Sequence, residues 1–293
     1  SEEEKALAIA HASELLVSPE LREAQIQRLT EHYQDFVESV KPKTDEWRAV
    51  YKYVKEGQSH FNNYLEWTDE RNRYGNDVTR YFEDEKEDSS DDDEGRDDYG
   101  GIYYAEGDWW VMGRPERQVL ALYGLVQRAP TLGAPTVLLH SVKSYKEMPG
   151  GDKPTPGQAH LITQFVSASV APLNDFLAAQ PDPPLLSSFY SQNTFEMHKG
   201  CCMCAITVDA NVSVVPIFMD NHDSDVEGWS DATDWHYFYK KEMEVLLPPG
   251  LVYVFQGARK IKVIDEKATQ IVGREIKHHF KIYFYRAMLP PDV

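Results

Sequence analysis

The sequence predicts an α+β fold in which helices come first and a strand-rich region follows. Residues 1–75 carry apolar side chains at three- and four-residue spacing, the period of amphipathic helices. From about residue 115, one further helical pattern gives way to short apolar runs separated by turn residues, which are typical of strands. Because helices and strands are segregated along the chain, the pattern favours α+β over alternating α/β.

The helical region contains residues that begin and end helices. Ser18-Pro19 predicts a helix start, because serine caps the first turn and proline suits the first helical position. Lys41-Pro42 ends this helix, since a residue before proline avoids the helical conformation. A second helix is predicted from Trp47 to Gly57, and a third from Gln118 to Val126. The apolar stripe of the first consists of Ile26, Leu29, Tyr33, Phe36 and Val40.

Eight apolar runs in the second region predict strands. The last run alternates, which places successive side chains on opposite faces of a sheet. One predicted face carries Phe280, Ile282 and Phe284, and the other carries Lys281, Tyr283 and Tyr285. The eight runs are Val137–Leu139, Gln164–Ser169, Cys201–Val208, Val212–Phe218, Glu244–Leu247, Leu251–Phe255, Ile261–Ile264 and His279–Tyr285.

The formal net charge is −18, which disfavours binding to nucleic acid or to an anionic membrane. Much of this charge lies in one segment, where eleven acidic residues between Glu83 and Asp98 stand against Lys86 and Arg96. Such a segment buries too little apolar surface to fold. We therefore predict a helical lobe at 1–82, a flexible acidic insertion at 83–108 and a strand-rich core at 109–293. The insertion is interpreted as a solvated loop, with a docking segment for a basic partner as the alternative.

Cysteine usage and the terminus bear on the compartment. All three cysteines lie in Cys201-Cys202-Met203-Cys204, where neighbouring strand residues point apart and cannot form a disulfide framework. We expect buried strand cysteines in a reducing, intracellular site of action; a metal site with His198 is the alternative. Ser1-Glu2-Glu3-Glu4 is acidic where a signal peptide is basic, and no apolar run suits a membrane helix, so a soluble protein is expected. The missing initial Met leads us to expect that an upstream segment has been removed.

Three separated segments carry polar residues at strand ends. They are Thr136–Tyr145 with His140, Gln164–Ser169 with Ser167 and Ser169, and Glu242–Gly250 with Glu242 and Glu244. Each segment alone has an ordinary interpretation: a structural histidine, hydroxyl packing and a charged turn. The third is the least ordinary, because two carboxylates two residues apart lie on one side of an extended chain and repel each other.

Taken together and in this order, the segments resemble the ADP-ribosyltransferase superfamily, and more narrowly its arginine-directed mono-ADP-ribosyltransferase branch. Phe165–Ser169 is similar to the aromatic-x-Ser-Thr-Ser motif, with Ala168 in place of Thr. Glu242–Pro249 is similar to the Glu-x-Glu-Val-Leu-(Leu/Ile)-Pro-Pro pattern. Tyr51–Leu65 resembles a segment of the family's helical lobe, so the resemblance covers most of residues 47–288. It implies a mixed β-sandwich after the helical lobe.

The first segment departs from the arginine-directed pattern. His140 stands where that branch has Arg, and Ser141 stands where it has Gly. The poly(ADP-ribose) polymerase branch uses His at this position. An arginine offers a rigid multi-donor fork suited to phosphate, whereas a histidine offers at most two donors and suits a ribose hydroxyl. The exchange indicates a different grip on the adenosine half of NAD.

The resemblance implies NAD as co-substrate and a division of catalytic roles. Glu244 would stabilise the positive charge that develops on the nicotinamide ribose, and Ser167 would orient Glu244. Glu242 would orient or deprotonate the attacking group. The implied acceptor is a protein side chain, most simply an arginine, and the enzyme would belong to the glycosyltransferases.

The NAD-binding residues follow from the same resemblance. His140 would hold a ribose hydroxyl, the Ser141 backbone would meet the nicotinamide amide, and Ser169 would support the strand or the turn. Tyr145, at the end of the first segment, is a further candidate. A ring from Phe189, Tyr190 or Phe195 would stack on nicotinamide, and Phe189 is our choice.

Three alternatives stay open. A degenerate member of the fold would bind a nucleotide or a partner without catalysis. A metal-binding module is suggested by Asp223-x-Asp225-x-Glu227-Gly228 with Asp234, which resembles a calcium loop, although an ordinary acidic loop is favoured. An acceptor other than protein arginine is the third. Several members of the family are toxins or effectors, so delivery into a host cell is compatible with the sequence.

Overall fold

The computed structural model describes residues 2–41, 44–56, 62, 65, 115–142, 148–151, 153–170, 202–217, 243–264 and 266–291. Residues 1–39 and 126–293 belong to one compact unit, and residues 40–125 to a second. The predicted acidic insertion at 83–108 lies outside the described residues, and the predicted boundaries of the lobe, insertion and core stay a prediction.

Two helices precede the sheet in the first unit, α1 (Glu2–Leu15) and α2 (Pro19–Ser39). The predicted start of α2 is confirmed: the Leu21 amide donates to the Ser18 hydroxyl at 3.3 Å, and Pro19 is the first helical residue. The buried face of α2 consists of Gln25, Leu29, Tyr33 and Phe36. Ser18 therefore separates the two helices and caps the second.

The second unit contains α3 (Asp45–Glu56) and the first eleven residues of α4 (Pro115–Arg128), whose last turn belongs to the first unit. The Trp47 amide donates to the Thr44 hydroxyl at 3.3 Å, which caps α3. An exposed ion pair of 3.0 Å joins Arg117 to Asp45. The buried apolar residues described in this unit are Trp47, Ala49, Tyr53, Val119, Leu122 and Leu125.

Seven described strands form one mixed sheet in the order β2-β6-β7-β4-β1-β3-β5. All neighbouring strands are antiparallel except β4 and β7, which are parallel. The predicted α+β class is therefore confirmed. The strands are β1 (Thr136–Val142), β2 (Ala159–Ile162), β3 (Val166–Ser169), β4 (Cys202–Val208), β5 (Glu244–Leu247), β6 (Leu251–Ile264) and β7 (Lys277–Met288), and a short helix α5 (Glu266–Val272) joins the last two.

A β-bulge in β6 changes which side chains share a face. Phe255 pairs with Tyr285 and Gly257 pairs with Phe284, so Gln256 is the extra residue. Gly257 has φ 152°, and a Cβ there would lie 3.2 Å from a methyl carbon of Ile9, so glycine suits both the conformation and the space. Odd-numbered residues of β6 therefore lie on one face before the bulge and on the opposite face after it.

An apolar core lies between α1 and one face of the sheet. Ala12 and Leu16 pack there against residues of β1, β4, β6 and β7. The alternation predicted for the last strand is confirmed, because Phe280, Ile282 and Phe284 belong to this core while Tyr283 and Tyr285 contact Phe255 on the other face. The sheet residues of the α1 core are Val137, Leu139, Met203, Ala205, Ile261, Val263, Phe280, Ile282 and Phe284.

Several predicted elements need correction. The runs Leu251–Phe255 and Ile261–Ile264 belong to one strand, β6, because the polar residues between them are the exposed part of a long hairpin. The run Val212–Phe218 is not a strand over the residues described: Ser213 and Val215 make isolated bridges, and Pro216 has no amide to extend the pairing. β2 and α5 were not predicted from the sequence. None of the helices described has the length and apolarity that crossing a membrane requires.

Candidate functional site

The second and third sequence segments meet as neighbouring strands. In β3 and β5, Ser169 lies directly opposite Glu244 and Ser167 lies opposite Leu246. Directly opposed residues of antiparallel strands share a face, and so do alternate residues of one strand. Ser167, Ser169 and Glu244 therefore lie on one face of the sheet, and all three are buried.

The carboxylate of Glu244 is held by the hydroxyl of Ser167, which donates a hydrogen bond to Oε1. Burial raises the pKa of Glu244 to about 7, while the hydrogen bond from Ser167 acts in the opposite direction. A buried carboxyl group in this range exchanges its proton near neutral pH and gains from any positive charge placed beside it. This hydrogen bond thus brings together Ser167 and Glu244, which the sequence places in separate segments.

His140 lies where β3 separates from β1. The two strands share one Cα pair, Leu139 with Ser169, and the pairing stops there. The next carbonyl on this side of β3 belongs to Ser167, and it accepts a hydrogen bond from Nδ1 of His140 at 2.7 Å. Since a carbonyl only accepts, the Nδ1 atom carries the proton, and in the neutral ring Nε2 is left as an acceptor. His140, Ser167 and Glu244 therefore form one connected group.

A helix residue fixes the strand that carries His140. The side-chain amide of Gln25 donates to the carbonyl of Val137 at 2.9 Å, and the Val137 amide donates to Oε1 of Gln25 at 3.1 Å. Both contacts are buried, so Gln25 satisfies the edge of β1 where β3 no longer runs beside it. The sequence signal was a glutamine four residues before Leu29, in line with the apolar stripe of α2. Gln25 was not among the predicted site residues.

The turn that leads into β5 is conformationally unusual. Met243 has φ 50°, a left-handed value that a non-glycine residue adopts at a cost of about 1 kcal/mol or more. Its carbonyl accepts a hydrogen bond from the Val170 amide at 3.0 Å, which ties the turn to the end of β3. The predicted site residue Glu242 directly precedes Met243 and lies outside the described residues.

The remaining predicted site residues divide into two groups. The backbone of Ser141 lies in β1 opposite Met203, one residue after His140. Tyr145, Phe189 and the alternatives Tyr190 and Phe195 lie outside the described residues, as does the acidic loop at 223–234. Cys204 is a buried thiol on β4. In the part of the chain that is described, histidine, cysteine and carboxylate side chains form no group able to hold a metal ion.

Comparison with solved structures finds several ADP-ribosyltransferase toxins. The BECa toxin of a C. perfringens binary enterotoxin, solved with NADH, shares 11% identity at a TM-score of 0.44 and covers 90% of this chain and 48% of its own. Plx2a from Paenibacillus larvae shares 8% identity at a TM-score of 0.45, and the match covers 91% of this chain and 96% of Plx2a. Vis toxin from Vibrio splendidus shares 12% identity at a TM-score of 0.42, and the match covers 92% of this chain and 83% of Vis toxin.

The chain spans about half the length of BECa and of the C2-I toxin component of Clostridium botulinum, which it also matches. No family model matches the sequence, and no curated protein matches it.

Proposed function

We propose that this chain is an NAD-dependent mono-ADP-ribosyltransferase that modifies a protein, with Glu244 as its catalytic carboxylate. The hydrogen bond from Ser167 to the buried Glu244 carboxylate carries the proposal. This contact joins two motifs whose residues are 77 positions apart in the sequence. The family resemblance implies the same arrangement, a serine that orients the catalytic glutamate. An ordinary charged turn would leave Glu244 in water.

The chemistry explains why a buried carboxylate belongs there. NAD supplies a ribose whose bond to nicotinamide breaks with oxocarbenium character, so positive charge develops at the sugar. Burial makes the ionised form of Glu244 costly in the folded protein, as its raised pKa shows. A developing positive charge beside Glu244 offsets that cost. The carboxylate therefore stabilises the transition state more than the ground state, which is the condition for catalysis.

The other residues of the group suit a ribose better than a phosphate. With its proton on Nδ1, His140 presents Nε2 as an acceptor for a sugar hydroxyl. Ser167 keeps Glu244 in one orientation through its own hydroxyl, so the reacting group is positioned before NAD binds. In our proposal, His140 holds the ribose, Ser167 orients Glu244, and Glu244 stabilises the charge on the sugar. The proposed NAD-binding set is completed by Tyr145, Ser169 and the Ser141 backbone, with Phe189 as the ring that stacks on nicotinamide.

The acceptor follows from Glu242. An arginine guanidinium is very weakly acidic, so a second carboxylate beside the reaction centre suits the loss of its proton. Glu242 lies two residues before Glu244 and is separated from it by the tight turn at Met243. We propose protein arginine as the acceptor on this basis, and delivery into a host cell as the setting.

The direct test measures NAD hydrolysis and transfer of labelled ADP-ribose to lysate proteins. We expect Glu244→Gln to abolish both activities, whereas Glu23→Gln, an equivalent change at an exposed carboxylate of α2, leaves both unchanged. Hydrolysis that persists in Glu244→Gln would remove Glu244 from catalysis. If the wild type binds NAD but does not turn it over, the chain is instead a catalytically inactive member of the fold. The departures from the family motif at His140 and Ala168 are the reason for considering that alternative.

A further inference from the structure

The hairpin of β6 and β7 carries a row of basic residues on one face. Lys260 lies directly opposite Lys281, Lys262 lies opposite His279, and Ile264 lies opposite Lys277. Opposed residues of antiparallel strands share a face, so all of these side chains point the same way. We call the basic members the lysine ladder: Lys260, Lys262, Lys277, His279 and Lys281, all of them exposed.

Like charges opposed across a hairpin are unfavourable for folding. The pair Lys260 and Lys281 is such an arrangement. Glu275 contacts Lys277 at 3.1 Å and Lys262 at 3.5 Å, and its hydrogen bond with Lys277 lowers the pKa of the Glu275 carboxyl. One carboxylate thus forms ion pairs with two lysines of the ladder. The ladder is therefore a basic surface on a chain whose formal net charge is −18.

The lysine ladder lies on the face of the sheet that carries His140. His140 pairs with Cys204 of β4, and Cys204 pairs with Tyr283 of β7. Lys281 is two residues from Tyr283 on the same strand and face, with its ammonium 4.9 Å from the ring centre. Two strand spacings and two residues of rise separate Lys281 from His140, which is a distance of about 12 Å along the sheet.

We propose that the lysine ladder is a docking surface for an acidic segment of a partner protein. Charge complementarity selects the sign of the partner. The dimensions select its class: the ladder extends about 14 Å along β6 and about 5 Å across to β7. A nucleic acid or an anionic bilayer extends well beyond that area and meets the acidic remainder of the chain, whereas an acidic protein segment can be confined to it. Exposed Ile264, at the end of the ladder, adds an apolar contact of the kind protein interfaces use.

The ladder and Glu244 lie on opposite faces of the sheet. Ser169, which is directly opposite Glu244, pairs with Leu139 of the α1 core, whereas the ladder shares the face of His140. Docking at the ladder therefore goes beyond the proposed function, and it needs neither NAD nor catalysis.

Binding of a short fluorescent polyglutamate peptide to the full chain, followed by anisotropy at low and physiological salt, tests the docking surface. We expect salt-sensitive binding that Lys260→Glu and Lys281→Glu each weaken about tenfold. Arg259→Glu is the matched control: it makes the same change of charge at the adjacent exposed residue, on the opposite face, and should alter binding by less than about twofold. Glu275→Gln should strengthen binding, since it releases two lysines.

Folding does not confuse these variants, because Lys260→Glu places a carboxylate opposite Lys281 and so exchanges a repulsive pair for an attractive one. Equal loss in Arg259→Glu, no binding by the wild type, or tighter binding of an oligonucleotide or of phosphatidylserine vesicles would each overturn the proposal. Binding seen only after removal of residues 83–98 would assign the ladder to the chain's own acidic segment instead.

NAD hydrolysis gives a separate readout. Lys260→Glu should leave it unchanged, because the ladder lies on the face of the sheet opposite Glu244. If the wild type hydrolyses no NAD, the proposed function fails while peptide binding still decides the docking surface.

Discussion

The hydroxyl of Ser167 reaches the Glu244 carboxylate diagonally across the sheet. The residue directly opposite Glu244 is Ser169, and the residue directly opposite Ser167 is Leu246. The diagonal contact makes the two serines of the motif unequal, although both are buried on the same face. Ser167 acts on the ionisation of Glu244, whereas Ser169 lies directly opposite Glu244 and has no such effect on its pKa.

Removing the Ser167 hydroxyl should change the pH dependence of the reaction. Because the ionised form of Glu244 is the active one, kcat/KM for NAD hydrolysis should rise with pH and reach half its maximum near pH 7. In Ser167→Ala, the hydrogen bond that lowers the Glu244 pKa is lost, so the midpoint should move to higher pH and the rate at neutral pH should fall. Ser169→Ala should leave the midpoint in place, and an equal displacement in both variants would contradict the assignment.

The buried carboxyl also makes folding stability depend on pH. The pKa of Glu244 is raised from 4.5 to about 7, so the folded protein binds this proton more tightly than the unfolded chain does. The stability that the protonated form provides is complete below about pH 4.5 and is lost as the pH rises to 7. Glu244→Gln should therefore be more stable than the wild type at pH 8, by on the order of 3 kcal/mol, and about equal to it at pH 4.5. Urea unfolding at the two pH values measures this, with Glu23→Gln as the exposed control.

The two carboxylates of the turn should separate transfer from hydrolysis. If Glu242 serves the attacking guanidinium, then Glu242→Gln loses transfer to arginine but keeps part of the NAD hydrolysis, because water needs less assistance. Glu244→Gln loses both. Assays of released nicotinamide and of labelled agmatine, run on the same samples, report the two activities. Parallel losses of both activities in both variants would rule out the division of roles.

His140 should affect NAD binding more than the chemical step. We expect His140→Ala to raise the KM for NAD about tenfold or more, because a positioned hydrogen bond to a buried sugar hydroxyl is lost. His140→Asn, which keeps a donor for the Ser167 carbonyl, should restore part of the loss. Isothermal titration with NAD gives the affinity directly, and unchanged affinity in His140→Ala would remove this residue from the site.

Gln25 should be needed for the strand that carries His140. In Gln25→Ala, the buried amide and carbonyl of Val137 lose their partners, which should lower the free energy of unfolding by about 2–4 kcal/mol. Gln27→Ala removes an exposed contact with Glu31 on the same helix and should change stability by less than about 0.5 kcal/mol. Denaturant unfolding of the two variants provides the comparison, and similar values for both would contradict the role of Gln25.

Local patterns predicted the elements whose environment is uniform along their length. β5 was predicted at its observed bounds because all four of its residues are buried, and the start of α2 followed from its cap. β6 could not be predicted as one strand. Its odd-numbered apolar residues imply a single face, but the extra residue Gln256 places Tyr253 and Ile261 on opposite faces. A register change of this kind depends on pairing with β7, which no local pattern contains.

The site was predicted in the same uneven way. The pairing of Ser167 with Glu244 came from the resemblance, since their separation of 77 residues has no local signal. The contact of His140 with a backbone carbonyl, and the role of Gln25, depend on where β3 leaves β1. That separation is a property of the assembled sheet. Side-chain types could therefore be matched to a chemistry, but the atoms that hold them in place could not.

The left-handed backbone at Met243 limits which sequences can place a carboxylate at position 244. The middle residue of Glu242-Met243-Glu244 has no chemical task, yet its φ of 50° rejects β-branched side chains. Unbranched residues, asparagine and glycine are compatible, whereas Val, Ile and Thr would drive the turn into another shape and displace Glu244. The x of the Glu-x-Glu pattern therefore does not accept any residue, because its backbone conformation restricts which side chains fit at position 243. In a library of all residues at position 243, the variants that hydrolyse NAD should share an unbranched Cβ or tolerance of positive φ, and not a common charge or polarity.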